Sequence, residues 1–99
     1  MVDGIYDIVS DTPLGKRKGT LELESEGNRL IARIEMMGMQ QGAEGTVEGD
    51  SFTLAGETRV MLRRFSYQGH GRVKNERLTG TLHALDKDFA VKGTLRPAQ

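Results

Sequence analysis

Few side chains in this sequence have the type and spacing of a catalytic or metal-binding group. Its two histidines, His70 and His83, are predicted as diagonal neighbours on the outer face of one hairpin, with outward companions that include no carboxylate. A zinc site needs a third protein ligand, so we interpret both as solvated surface side chains. The segment Asp86-Lys87-Asp88 begins like a calcium loop, but the Phe89-Ala90-Val91 that follows supplies no further side-chain oxygen. The sequence therefore predicts no metal site, no catalytic site and no cofactor.

Residues suited to nucleophilic catalysis or nucleic-acid binding are also poorly placed. The chain has no cysteine, and none of its four serines lies in a Gly-x-Ser-x-Gly turn. Basic residues cluster at Lys16-Arg17-Lys18 and at Arg59, Arg63 and Arg64, but 14 acidic residues balance the 14 basic ones. Oligonucleotide-binding barrels combine such clusters with exposed aromatic side chains, whereas the aromatic residues beside these arginines are predicted to face inward. We expect no nucleic-acid partner.

The most unusual segment is Met36-Met37-Gly38-Met39, because methionine adapts to irregular apolar shapes and recurs at promiscuous binding surfaces. Alternation places Met36 inward and Met37 outward, with Met39 at a turn. Three interpretations remain open: a lid over a small apolar ligand, ordinary turn packing, and a contact between subunits. The last would also involve apolar residues that are predicted to face outward: Ile5, Val9 and Ile31.

Short β-strands must position these side chains, because turn residues interrupt alternating apolar runs along nearly the whole chain. Two stretches, 61–65 and 82–89, also fit a helical spacing, but alternation fits them at least as well. No register is predicted for residues 56–64. The predicted turns are Thr12-Pro13-Leu14-Gly15, Gly27-Asn28, Gly38-Met39, Gly49-Asp50, Asn75-Glu76 and Asp86-Lys87.

Each turn fixes which residues lie opposite one another, and every predicted register brings apolar or small residues to one face. On the other face, Arg33 is predicted to lie between Glu22 and Glu44. The predicted opposite pairs on the apolar face include Tyr6 and Leu21, Leu23 and Ala32, Ile34 and Ala43, Val47 and Phe52, Val73 and Leu78, Leu82 and Val91, and Ala84 and Phe89.

The apolar face has no helix to cover it. An open sheet would leave this face in water and expose two strand edges, whereas closure removes both problems. We therefore predict an all-β fold, a small closed up-and-down antiparallel barrel of about eight strands, formed by a single domain over residues 1–99. No carboxylate, lysine or histidine faces inward, which argues against acid–base catalysis in the lumen. Polar residues reach the inner face only near strand ends: Ser10, Arg17, Ser25 and Gln41.

An internal repeat supports this organisation. Residues 45–53 (GTVEGDSFT) match residues 71–79 (GRVKNERLT) position by position, and a looser copy begins at Gly19. We interpret the repeat as a structural hairpin unit.

Two resemblances follow from these motifs. Gly4-Ile5-Tyr6 on the first strand and Arg96 after the last resemble the Gly-x-Trp and terminal-arginine pairing of the calycins (lipocalins, fatty-acid-binding proteins and avidins), with Tyr6 in place of tryptophan. The Thr12-Pro13-Leu14-Gly15 turn, the 45–50 hairpin and Gly93-Thr94-Leu95-Arg96 resemble small β-modules found alone or appended to bacterial amidohydrolases, with Leu95 inserted before the arginine. The first resemblance implies a calycin-like barrel, and the second an accessory or binding role without catalytic residues.

From the fold and these resemblances we expect a non-catalytic module that binds a small hydrophobic or aromatic ligand in its lumen. The alternatives are a structural or homo-oligomeric barrel with a fully packed core, and an enzyme acting at the barrel rim. No apolar run approaches the roughly 18 residues of a membrane span, and Met1-Val2-Asp3-Gly4 lacks a signal-like core, so we expect a cytoplasmic protein with no membrane partner. The predicted ligand-binding residues are Tyr6, Ile34, Met36, Phe52, Phe65, Tyr67 and Phe89.

Overall fold

The described part of the chain forms a closed barrel of eight strands. The computed structural model describes residues 2–12, 15–36, 38–60, 63–84 and 86–97. Each strand pairs antiparallel with the next one in the chain, and the first also pairs with the last, which confirms the predicted all-β up-and-down barrel. The strands are β1 (Gly4–Thr12), β2 (Gly15–Glu26), β3 (Arg29–Met36), β4 (Met39–Glu48), β5 (Ser51–Val60), β6 (Arg63–Lys74), β7 (Arg77–Ala84) and β8 (Lys87–Leu95).

The hairpin registers that flank residues 13–14, 27–28, 49–50 and 75–76 are confirmed. Gly27 and Gly49 have φ angles of +64° and +60°, as the first position of a type II′ turn requires. Asn75 and Glu76 both have positive φ, as a type I′ turn requires. The turn residues therefore fix the pairing of these strands.

The register of β3 against β4 differs from the predicted one by two residues. Ile34 lies opposite Gln41 rather than Ala43. The reason is the position of Gly38, which has a φ of +77° and directly precedes Met39, the first residue of β4. Glycine therefore occupies the second place of this connection rather than the first. A shift of two residues keeps every side chain on its predicted face.

The predicted register of β7 against β8 is also wrong by two residues. Leu82 lies opposite Phe89 rather than Val91, and Ala84 no longer faces Phe89. Asp86 adopts a φ of +61° in the second place of the connection, whereas the sequence predicted it in the first place. Asp is among the residues that tolerate this left-handed conformation, so either place suits it.

The outward charge row changes with the β3–β4 register. Glu22 lies opposite Arg33 as predicted, but Arg33 faces Gly42 on its other side rather than Glu44. Glu44 instead forms an ion pair with Arg29, with 3.6 Å between Arg29 Nη2 and Glu44 Oε2. Both side chains are exposed, so this pair contributes little to stability.

Residues 56–60 and 63–64 extend the β5–β6 hairpin. Gly56 lies opposite Tyr67, and the pairing continues to Val60 opposite Arg63. Of the two stretches with an alternative helical spacing, the described residues belong to strands except Asp86, which lies in a turn. Met61, Leu62 and Leu85 lie outside the described residues.

Three hairpin turns gather at one end of the barrel, which we call the packed end. Each turn accepts a main-chain hydrogen bond of 2.9 Å from the next hairpin's strand or from β8. In the sequence repeat, Val47 is equivalent to Val73, and Asp50 to Glu76. The bonds run from Val47 N–H to Asn28 O, from Val73 N–H to Asp50 O and from Leu95 N–H to Glu76 O.

The core is tightest at this packed end. Tyr6 is 1% exposed and donates a hydrogen bond of 2.8 Å from its hydroxyl to the carbonyl oxygen of Val2. Burial, with a smaller effect from nearby Asp3, raises the pKa of Tyr6. The other fully buried side chains are also apolar: Val2, Leu23, Leu30 and Leu78.

Two polar contacts fasten the chain ends to the barrel. The carboxylate of Asp3 accepts hydrogen bonds from the hydroxyl and the main-chain N–H of Ser25, which lower the pKa of Asp3. Arg96 donates its main-chain N–H to Ile5 O at 2.8 Å and its guanidinium to Asp7 Oδ1 at 2.7 and 3.0 Å. The latter contact lowers the pKa of Asp7. The Asp3 contact reaches strand β2, and the Arg96 contacts lie at the seam between β1 and β8, where the barrel closes.

Candidate binding cavity

The lumen contains a cavity toward the end opposite the packed end, which we call the mouth end. Its volume is about 480 Å³, within the range of roughly 300–1,000 Å³ that is usual for small-molecule sites. The residues at this end of the strands include Ser10 on β1, Met36 on β3, Phe65 on β6 and Phe89 on β8. Most of the wall is apolar: Ile8, Leu21, Ile34, Met36, Phe52, Leu54, Phe65, Leu78, Leu82, Ala84, Phe89 and Val91.

Six of the seven predicted ligand-binding residues lie on this wall: Ile34, Met36, Phe52, Phe65, Tyr67 and Phe89. The seventh, Tyr6, does not. It belongs to the packed end, where its hydroxyl is bonded to Val2. Alternation along the strands was enough to identify the inward side chains, but it gave no indication of which end of the barrel is filled.

Several large side chains of the wall reach over a glycine that lies directly opposite on the neighbouring strand. A Cβ atom added at Gly71 would lie 2.8 Å from Phe52 Cζ, and one at Gly56 would lie 2.5 Å from the Tyr67 hydroxyl oxygen. Phe52 and Gly71 lie directly opposite each other across the β5–β6 hairpin, and so do Tyr67 and Gly56. The rings therefore lie along the wall instead of filling the centre.

The same arrangement recurs with two aliphatic side chains. Met36 packs against Gly19, and Ile8 packs against Gly93, in each case across a directly opposite pair. From the sequence, inward glycines such as Gly19 and Gly93 are expected to permit the bending that closes the barrel. Their second role, which is to receive the side chain opposite, depends on registers that only the folded chain provides.

The described wall contains no aspartate, glutamate, lysine or arginine. Its polar residues are Ser10, Gln41, Tyr67, Thr81 and His70, and His70 is exposed on the outward face of β6. Burial raises the pKa of Tyr67, so its phenol is neutral at physiological pH. The cavity is thus an uncharged apolar space with a few hydroxyl and amide groups.

Two of those hydroxyls have no hydrogen-bond partner among the described residues. Ser10 Oγ and the Tyr67 hydroxyl are both buried, with residue exposures of 2% and 7%. An unsatisfied buried polar group costs about 1–3 kcal/mol, and such groups are few in folded proteins. The sequence placed both residues on the inner face, Ser10 near a strand end and Tyr67 among the predicted ligand-binding residues, but the absence of a hydrogen-bond partner depends on packing and was not predictable.

A basic residue, Arg17, lies next to one of these hydroxyls by register. It lies opposite Ser10 on β2 and is half-buried. Its guanidinium donates to the carbonyl oxygen of Lys16 at 3.2 Å, and it is not among the residues that line the cavity.

The histidines have different neighbours from those predicted. Because β7 and β8 pair two residues away from the predicted register, His83 lies opposite Asp88, and His83 Nδ1 is 2.5 Å from Asp88 Oδ1. The prediction that no carboxylate neighbours the histidines is therefore wrong. Both side chains of the pair are exposed. In the part of the chain that the structure describes, no three His, Cys, Asp or Glu side chains are grouped to hold a metal ion.

A second, shallower cavity of about 610 Å³ lies on the outer face of β4–β7. Its wall is mostly polar and exposed, and two of its hydroxyls are bonded to each other, Thr46 Oγ1 and Thr53 Oγ1 at 2.9 Å. Unlike the lumen, it contains neither of the orphaned hydroxyls.

Four outward residues were predicted for a contact between subunits. Ile5 and Ile31 are exposed, Val9 is half-buried, and Met37 lies outside the described residues.

No protein-family model matches this chain, and a comparison with curated proteins finds no match. Among the described residues there is no helix long and apolar enough to cross a membrane.

Proposed function

We propose that this protein is a non-catalytic binding module that takes a small apolar or aromatic molecule into the cavity at the mouth end of its barrel. The observation that carries the proposal is the coexistence of a fully packed core at one end and an apolar cavity of about 480 Å³ at the other. Each 100 Å² of apolar ligand surface removed from water contributes about 2.5 kcal/mol. An alternative barrel that served only as a scaffold would gain stability by filling this space.

The proposal includes a calycin-like identity. Eight-stranded barrels are wide enough to hold one small ligand, as in lipocalins and streptavidin. Support comes from Gly4 and Tyr6 at the start of β1 and from Arg96, whose main chain and guanidinium both bond to β1. The likeness to β-modules appended to amidohydrolases supports an accessory role rather than a catalytic one.

The experiment is a fluorescence titration with N-phenyl-1-naphthylamine, an uncharged aromatic probe whose emission rises in apolar sites. We expect saturable binding of one probe per chain. Gly69 lines the cavity, and a Cβ added there meets only Thr81 O at 3.6 Å and Leu82 Cδ1 at 3.8 Å. Gly69→Leu should therefore fill the cavity and weaken binding at least about tenfold, a loss of about 1.4 kcal/mol.

Gly42→Leu is the matched control, because Gly42 is exposed on the outer face of β4. It should bind the probe like the wild type. Equal binding by the Gly69→Leu variant and the wild type would place the probe elsewhere and refute a lumen site.

A homo-oligomeric barrel is the second candidate. It is favoured by two large apolar side chains on the outer face, Ile5 and Ile31, which are 40% and 46% exposed. Light scattering would then give a defined oligomer for the wild type and a smaller species for Ile31→Glu. A monomer in both cases would eliminate this candidate.

A further inference from the structure

The two orphaned hydroxyls restrict what the cavity can hold. Ser10 Oγ is on β1 and the Tyr67 hydroxyl on β6, so they belong to different parts of the cavity wall. Each can donate one hydrogen bond and accept others. A purely apolar ligand would leave both groups unpaired and separated from water, whereas a ligand with a polar group would supply a partner.

The position of the Tyr67 hydroxyl is set by packing. The ring lies over Gly56, with the hydroxyl oxygen 2.5 Å from the place of a glycine Cβ. The other tyrosine in the chain, Tyr6, has its hydroxyl satisfied by Val2 O. The contrast indicates that Tyr67 is oriented by its contact with the wall and not by a hydrogen bond inside the protein.

The cavity wall also restricts the charge of a bound molecule. A buried charged group needs a counter-ion or several hydrogen bonds, and the described wall has no aspartate, glutamate, lysine or arginine. Arg17, opposite Ser10, is already bonded to Lys16 O and does not line the cavity.

We propose that the molecule held in the lumen is uncharged, largely aromatic or aliphatic, and carries a hydroxyl or carbonyl group that hydrogen-bonds to Ser10 Oγ or the Tyr67 hydroxyl. This inference rests on the proposed binding function, since it names the ligand class of the same cavity.

The test uses three compounds of one shape: biphenyl, 4-phenylphenol and biphenyl-4-carboxylate. The affinity of each compound is measured at pH 7 by its displacement of N-phenyl-1-naphthylamine. The measurement is made on the wild type and on a double variant that carries Ser10→Ala and Tyr67→Phe. In the wild type, 4-phenylphenol should bind about tenfold tighter than biphenyl, and the carboxylate should bind weakest. In the double variant, biphenyl should keep its affinity and the advantage of the phenol should disappear.

Three results would overturn the inference while leaving the binding function intact. In the first, biphenyl and 4-phenylphenol bind the wild type with equal affinity. In the second, 4-phenylphenol still binds the double variant more tightly than biphenyl does. In the third, the carboxylate binds most tightly of the three compounds, and the Arg17→Gln substitution weakens its binding. If neither the probe nor any of the three compounds binds, the binding function itself fails. The single variants Ser10→Ala and Tyr67→Phe report on each hydroxyl if the double variant does not fold.

Discussion

The ring of Tyr67 lies over Gly56, its direct partner across the β5–β6 hairpin, with the hydroxyl oxygen 2.5 Å from where a Cβ of residue 56 would stand. The same relation joins Phe52 to Gly71. An aromatic side chain that lies against a glycine covers the wall of the barrel and leaves its centre unfilled. This pairing accounts for an apolar cavity in a chain of only 99 residues.

The two tyrosines should respond oppositely to removal of the hydroxyl. Tyr6→Phe deletes the bond to Val2 O and leaves a buried carbonyl without that donor, so the free energy of unfolding should fall by about 1–2 kcal/mol. Tyr67→Phe deletes a hydroxyl that has no partner among the described residues, so stability should stay the same or rise. Urea unfolding of the two variants measures both. A loss of similar size in each would show that the Tyr67 hydroxyl is satisfied in solution.

Two glycines on the inner face of β6 should differ in their tolerance of a methyl group. Gly71→Ala should destabilise by about 1–3 kcal/mol, because its Cβ would lie 2.8 Å from both Phe52 Cζ and Thr79 O. Gly69→Ala should be neutral or stabilise by up to about 1 kcal/mol, because its nearest contact would be 3.6 Å away and alanine restricts the unfolded chain. Thermal unfolding would decide the matter. Equal effects would contradict the packing of Phe52 on Gly71.

Acid should weaken the fastening of the N-terminus. The pKa of Asp3 is lowered chiefly by its hydrogen bond from the Ser25 hydroxyl. A lowered pKa stabilises the fold fully above the ordinary aspartate pKa of about 4, and this stabilisation is lost as the pH falls through the folded-state value. The decrease in Tm between pH 6 and pH 3 should therefore be smaller in Ser25→Ala than in the wild type.

Ser66→Ala is the control, since Ser66 is exposed on the outer face of β6. This variant should show the full wild-type decrease. An unchanged decrease in Ser25→Ala would mean that the Asp3–Ser25 contact does not contribute to acid sensitivity. Asp7 has a lowered pKa from its contact with Arg96 and retains its own share of that decrease in both variants.

The sequence predicted the strands and their inward faces because the alternation of side chains is a local property. It predicted two registers wrongly, and the error has a physical origin. Gly38 can supply positive φ at either place in a two-residue turn, and the alternatives differ by two residues. Such a shift leaves each face unchanged, so the apolar pattern could not distinguish them. The same ambiguity at Asp86 hid the approach of Asp88 to His83.

The candidate site was predictable in composition but not in shape. Alternation placed Phe52, Phe65 and Phe89 inward, and all three line the cavity. Whether an inward side chain fills the centre or lies on the wall depends on the residue opposite and on the end of the barrel, as the contrast between Tyr6 and Tyr67 shows. Both features arise from pairing between strands rather than from local sequence.

The most direct test of a ligand-accepting lumen is anomalous diffraction from crystals soaked with 4-bromobiphenyl. We expect one bromine peak inside the barrel, in contact with the rings of Phe52, Phe65 or Phe89. If bromine appears only on the outer surface, or if the side chains at the mouth end are found to fill the interior, a lumen binding site would be contradicted.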